Sequence, residues 1–195
     1  MAAALVVLAL TSGGCSSSES SSPDAAPTTG GSPAGDRSVP STVVLGKVAG
    51  TIRKKNRKVF THHRKQLLTR VGRAVDTWID GGFVGVDYPR DSFPTAFAGF
   101  TTPAKRAANH QRRLMTNWHL RKRIDAVRVK KRKISVDVLA PRGRPAGVTA
   151  HVRLVFQTSG HAEKRVTVRG RLFLDPDPHG SWRIFGYDVS RGVTG

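Results

Sequence analysis

The hydrophobic period of this chain changes from helical to strand-like at Ile124, and this change restricts the folds open to it. In segment 66–80, aliphatic residues recur at every fourth position, at Leu67, Val71, Val75 and Ile79. This spacing predicts an amphipathic helix, which the Gly81-Gly82 pair would end. From Ile124 onward, apolar and polar residues alternate, as they do in half-buried strands. Helices followed by strands indicate an α+β fold, with the helices packed on one face of an antiparallel sheet.

The segments between and after these runs refine that prediction. Phe93, Phe97 and Phe100 lie at helical spacing and predict one or two turns of helix. Thr102-Pro103 is typical of a helix start, so a further surface helix is expected from Pro103 to Leu114 or Trp118. Strands are expected over 124–138, 148–156, 166–174 and 182–189, with a turn at 175–180. In the last strand the apolar phase switches beside Gly186, which predicts a β-bulge.

The single cysteine, Cys15, follows a ten-residue apolar start and four small residues. This arrangement resembles a bacterial lipoprotein signal peptide, which implies that residues 1–15 direct export and that Cys15 is acylated. The protein would then be lipid-anchored in the cell membrane on its extracytoplasmic face. Ten residues are too few for a membrane-crossing helix, which needs about 20. A single cysteine also excludes an intramolecular disulfide and a cysteine–zinc cluster.

Residues 16–40 are rich in Ser, Pro, Gly and Ala and contain no large apolar side chain except Val39. Such a segment cannot bury enough surface to offset its ordering entropy, so it is predicted to be a disordered tether. Only one of the 33 basic residues and three of the 13 acidic residues precede residue 41, so the predicted domain 41–195 carries a net charge of +22. This excess favours acidic surroundings.

Three segments resemble the nuclear transport factor 2-like (SnoaL-like) superfamily: Val75–Trp78, Val168–Leu172 and the closing Gly180–Val189. The closing segment is similar to that of exported actinobacterial members, including proteins associated with mammalian-cell-entry lipid transporters. The resemblance covers roughly residues 55–192. It implies a cone in which one long and two shorter helices pack on a curved antiparallel sheet around a pocket. It implies little about activity, because the superfamily includes isomerases, cyclases, dehydratases and pure binding modules.

No nucleotide-binding, metalloprotease or serine-hydrolase motif is present in the sequence, and its seven histidines are scattered. No metal and no cofactor is therefore expected. Enzymes of the superfamily commonly use an Asp or His base inside the cone, and the resemblance makes Asp80, Tyr88 and Asp91 the candidate catalytic residues. His151 and Asp188 are expected to face solvent or to pair with neighbouring side chains.

The basic residues form clusters, which predict contacts with an anionic surface. The clusters are Arg53, Lys54, Lys55, Arg57 and Lys58; Arg121, Lys122 and Arg123; and Lys130, Lys131, Arg132 and Lys133. Base-stacking aromatic residues are not interleaved with them, so nucleic acid is not the expected partner, whereas anionic envelope lipids or polymers are. The alternative is that the positive charge reflects compositional bias on a solvated surface.

Two functions are compatible with these features. The first is a membrane-anchored, non-catalytic envelope lipoprotein that binds a protein partner or an apolar ligand, as an accessory to envelope transport. The alternative is an isomerase-, cyclase- or dehydratase-type enzyme that acts on a small hydrophobic molecule in the cone.

Overall fold

The computed structural model describes residues 40–50, 53–85 and 87–194, so Cys15, the predicted signal segment and all of the predicted tether except Pro40 lie outside it. The predicted α+β class is confirmed. The helices are α1 (Lys54–Ile79), α2 (Thr102–His110) and α3 (Arg112–Met115), with a π-helical turn at Asp80–Val84 and a 3-10 turn at Pro141–Gly143. The strands are β1 (Thr42–Ala49), β2 (Ala126–Leu139), β3 (Gly147–Ser159), β4 (Arg165–Pro176) and β5 (Trp182–Thr194).

The five strands form one mixed sheet in the order β1-β2-β3-β4-β5. Strands β2 to β5 are antiparallel neighbours, as predicted, whereas β1 pairs with β2 in parallel and was not predicted. A parallel pair needs a long crossover, which the three helices between β1 and β2 provide. Gly72 lets β1 approach α1 closely, because a Cβ atom there would lie 2.9 Å from Cγ2 of Val43.

One face of the sheet packs against the helices and forms a filled core. The largest interior side chains, among them Trp78, Phe83, Phe100, Phe156 and Ile184, are at most 1 % exposed. Trp78 contacts Phe83 with ring centroids 5.4 Å apart, and Phe83 contacts Phe156 at 6.1 Å. A side chain with no accessible surface borders no void large enough for a water molecule. The space around these residues is therefore closely packed.

The end of α1 differs from the prediction. Gly81 and Gly82 do not end the helical segment. They lie in the buried π turn Asp80–Val84, which continues α1 and in which the Gly85 amide donates to the Asp80 carbonyl at 2.8 Å. A Cβ atom on Gly81 would lie 2.7 Å from the backbone of Ala96. The glycine is thus required because the 95–96 turn approaches α1 at this point. The sequence pattern alone could not distinguish that role from a helix stop.

The phenylalanine-rich segment also differs from the prediction. Residues 93–100 form successive turns rather than a helix, and Phe100 then makes a bridge to Ile184 of β5. Helix α2 has Pro103 in its first turn, as expected, but it ends at His110, and α3 follows as a separate short helix.

Two bulges set which side chains face the core. In β5 the register shifts opposite Phe173 and Leu174, which confirms the bulge predicted beside Gly186 and leaves Phe185 exposed. In β2 a second shift between Val129 and Lys131 was not predicted. It changes the inward phase from odd to even positions, so that Arg132 joins the buried face.

Candidate functional site

Arg132 is the centre of an ion-pair cluster formed with Ser41, Asp76 and Asp80, here called the Arg132 cluster. The two carboxylates lie one helical turn apart, Asp76 in the last turn of α1 and Asp80 at the start of the π turn that continues it, and they therefore face the same way. The Arg132 side chain is 2 % exposed; its Nη1 donates to Asp80 Oδ1 and its Nη2 to Asp76 Oδ1, each at 2.6 Å. Its Nε donates to Ser41 Oγ at 2.8 Å, and Ser41 Oγ donates to Asp76 Oδ1 at 2.5 Å.

This cluster changes the interpretation of two predicted site residues. Burial alone would lower the pKa of Arg132, but Asp80 and Asp76 outweigh that effect and hold the pKa above its ordinary value. Arg132 is thus internal and paired, so its predicted role on an anion-binding surface is wrong. Asp80 lines an open groove of about 660 Å³, but both of its carboxylate oxygens already accept hydrogen bonds from the Arg132 guanidinium.

Tyr88 lies in a separate polar network on the other side of the π turn. Its hydroxyl donates to the Phe83 carbonyl at 3.0 Å and accepts from Asn117 Nδ2 at 3.1 Å. Asn117 is fully buried and accepts through Oδ1 from Arg191 Nη2 at 3.0 Å. Burial raises the pKa of Tyr88 and lowers that of Arg191 to about 10, so near neutral pH the phenol is protonated and the guanidinium is charged. Tyr88 therefore links the chain segments around it.

Asp91 is on the surface and forms an ion pair with Lys122. The hydrogen bond and charge of that lysine hold the pKa of the Asp91 carboxyl below its ordinary value. Asp80, Tyr88 and Asp91 thus have different partners in different surroundings, and their hydrogen bonds and ion pairs do not join them into one acid–base site.

His151 and Asp188, which the sequence predicts to face solvent or pair with neighbours, are paired on the sheet surface. His151 Nε2 lies 3.0 Å from Asp137 Oδ2, and Arg171 Nη2 donates to Asp188 Oδ2 at 2.5 Å. Within residues 40–50, 53–85 and 87–194, no three metal-ligating side chains converge. No helix in that part of the chain has the length and apolar character needed to cross a membrane.

The first basic cluster lies beside a loop that the sequence does not associate with it. Gly143 is held against α1, where a Cβ atom would lie 2.8 Å from the Asn56 carbonyl. This contact places Arg142 and Arg144 across from Arg53, around a groove of about 1200 Å³. Lys54, Arg57 and Lys58 are exposed on the same end of α1, and the Lys55 side chain lies outside the described residues. Arg142 and Arg144 were missed because only the fold brings them to α1.

The second basic group divides among several surroundings. The Arg121 guanidinium lies 3.8 Å from the centroid of the Trp118 ring and donates to the Trp118 carbonyl at 2.8 Å. Lys122 is engaged with Asp91, and Arg123 is exposed. Lys130, Lys131 and Lys133 are exposed on β2. These residues are therefore close together in the sequence but lie in different surroundings in the structure.

Neither the predicted catalytic residues nor the predicted basic clusters form a single compact centre in the described chain. Comparison with protein-family models, with curated proteins and with solved structures gives no match.

Proposed function

We propose that this chain is a non-catalytic binding module of the cell envelope, with a cone-like nuclear transport factor 2-like fold, anchored to the membrane through acylated Cys15. It recognises an acidic partner at its surface, as an accessory to envelope transport. The long α1 on a five-stranded sheet, with a bulge in β5, supports the cone-like fold.

The filled interior is the observation that carries this proposal. An enzyme of the alternative type would enclose its substrate between α1 and the sheet. Trp78, Phe83, Phe100 and Phe156 occupy that space with at most 1 % exposure. A ligand could enter only by displacing these side chains, and loss of such aromatic packing costs about 3–5 kcal/mol per residue. Binding at the outer surface requires no such change.

The contacts of the candidate catalytic residues also fit a role in holding the fold together better than a role in catalysis. Asp80 is an acceptor for Arg132, Tyr88 joins the Phe83 carbonyl to Asn117, and Asp91 is an exposed partner of Lys122. A general base needs a free lone pair directed at substrate in a place from which water is excluded. The arrangement of these three groups does not provide one.

Surface charge supports an acidic partner. The chain carries 33 basic and 13 acidic residues, and its basic side chains are exposed on α1, on β2 to β4 and in the loop that follows β2. A net charge of +20 is unfavourable for the isolated fold and favourable beside a negatively charged molecule.

Two measurements test the proposal. The tagged full chain and its Cys15→Ala variant are expressed in a bacterium that processes lipoproteins, then fractionated and labelled with a clickable palmitate analogue. We expect the wild type to be labelled and membrane-bound, and the variant to be unlabelled and absent from the membrane. Equal cytosolic recovery of both forms would remove the anchoring part of the proposal.

The filled interior is tested by titrating the folded protein with the uncharged apolar dye Nile red, which does not pair with the surface cations. We expect no saturable fluorescence increase under native conditions. A saturable site with one dye per chain would contradict surface recognition and favour the enzyme alternative.

A further inference from the structure

The strand register places three cations side by side on the outer face of the sheet, the face opposite α1. Lys133 of β2 pairs with Arg153 of β3, and Arg153 pairs with Arg169 of β4. All three side chains are exposed and alternate with buried residues on the same strands. We call Lys133, Arg153 and Arg169 the cation row.

The cation row is electrostatically unfavourable in the isolated protein. Adjacent strands are about 4.8 Å apart, and like charges directly opposite each other destabilise a sheet. The carboxylates of Asp137 and Asp188 on the same face are paired with His151 and Arg171. Within the described chain, no carboxylate pairs with a member of the row. A bound anion would remove this repulsion.

The surroundings of the row add positive charge and little apolar surface. Lys131 precedes it on β2 and Arg165 lies on β4, and both are exposed, whereas the charge of the neighbouring Arg171 is balanced by Asp188. Val155 lies in the neighbouring position on β3 but is only 4 % exposed, so the long side chains around it must cover it. The outer face is thus polar and cationic at this point.

We propose that the cation row binds a linear polyanion, a polymer with a negative group on each repeat, lying across β2, β3 and β4. This inference rests on the proposed function and names the class of its acidic partner. The three charges form a line across the strands, which fits a chain-like ligand. A bilayer is less favoured because the residues in register with the row on β1 and β5 are the polar Thr42 and Ser190. The exposed aromatic side chain on this face, Phe185, packs against Phe173, four residues beyond Arg169 on β4.

The test measures binding of the full chain to linear inorganic polyphosphate labelled with a fluorophore, by fluorescence anisotropy over a range of salt concentrations. The row variant is Arg153→Gln/Arg169→Gln. The control is Arg142→Gln/Arg144→Gln, which removes two arginines from the loop after β2 and lowers the net charge by the same amount.

We expect the row variant to bind at least about tenfold more weakly, and its log K versus log salt slope to fall by about 2, one for each cation removed. The control should lose less than about twofold. An equal or larger loss in the control would overturn the proposal, because binding would then follow total charge or the α1 groove.

A second variant separates binding from folding. Arg153→Glu places a carboxylate between Lys133 and Arg169, so cross-strand repulsion becomes attraction and Tm should rise by about 2 °C. We expect this more stable protein to lose polyphosphate binding. Unchanged affinity would refute the proposal.

Vesicles of phosphatidylcholine with about 30 % phosphatidylglycerol form the membrane arm of the test. Binding to vesicles that depends on the row and is tighter than binding to polyphosphate would replace the polymer by a lipid surface and overturn the inference. If neither probe binds through the row, while the chain is still palmitate-labelled and excludes the dye, then only this inference fails and the proposed function stands.

Discussion

Replacing Arg132 by methionine should destabilise the protein, because it removes the buried cation that Asp76 and Asp80 share. The substitution keeps an apolar stem about as long as arginine's up to Nε, but it removes the guanidinium of a side chain that is 2 % exposed and contacts both Asp76 and Asp80. It leaves two negative charges one helical turn apart, at the end of α1 and the start of the π turn. Breaking a fully buried ion pair costs about 3–5 kcal/mol. These carboxylates are 21 % and 36 % exposed and keep part of their hydration, so we expect a loss of about 2–3 kcal/mol.

The loss is measured by urea unfolding followed by tryptophan fluorescence. Lys130→Met, on the same strand but exposed, is the matched control and should change stability by less than about 0.5 kcal/mol. The triple variant Asp76→Asn/Asp80→Asn/Arg132→Met removes all three charges and should recover most of the loss, because the main cost is unpaired charge rather than lost contacts. A cost below about 1 kcal/mol for Arg132→Met, or a triple variant no more stable than the single one, would refute this reasoning.

Three further outcomes are expected. Partial burial, together with the charges of Arg191 and Arg113, lowers the pKa of His119 from 6.5 to about 4. As the pH falls from 6.5 to 4 the unfolded state takes up the proton first, so the free energy of unfolding should decline over that range. The His119→Gln variant should show a smaller decline in urea titrations carried out at several pH values. Gly170→Ala should cost about 3 kcal/mol in thermal unfolding, because its Cβ would lie 2.2 Å from a β5 carbonyl oxygen. Asn117→Ala should cost about 3 kcal/mol in urea unfolding, since it leaves buried polar partners without a hydrogen bond. A loss of stability below about 1 kcal/mol in Gly170→Ala or in Asn117→Ala would contradict the packing described.

Much of the sheet could be predicted because its inner face is a regular apolar pattern. Val148, Val152 and Phe156 alternate with polar residues in β3, and the same period holds in β4. The bulge in β5 was predictable for the same reason: Trp182 and Ile184 are on one parity and Val189 is on the other.

The features that were missed depend on contacts between distant segments. Strand β1 has no clear alternation and pairs only at the sheet edge, through residues about 90 positions away. The bulge in β2 lies at the start of the cation run Lys130–Lys133, and this run conceals the phase change that buries Arg132. The cation row depends on the register of three strands, and register is not readable from any one of them. The sequence also could not show that the three candidate catalytic residues lie apart, because nothing near Asp80 in the sequence indicates that its partner is Arg132.

The position of β1 has a mechanical consequence. Any tension applied to the chain from the N-terminal side of Pro40 reaches the described domain at Ser41, which is hydrogen-bonded to Asp76 and accepts from Arg132. Because β1 is an edge strand with only β2 beside it, it can detach without separating β2 from β3, β4 or β5. Under force we therefore expect the hydrogen bonds of Ser41 to Asp76 and Arg132 to break first. Ser41→Ala should lower the force at which the strand peels away in a single-molecule pulling experiment, while leaving the rupture force of the remaining four strands unchanged.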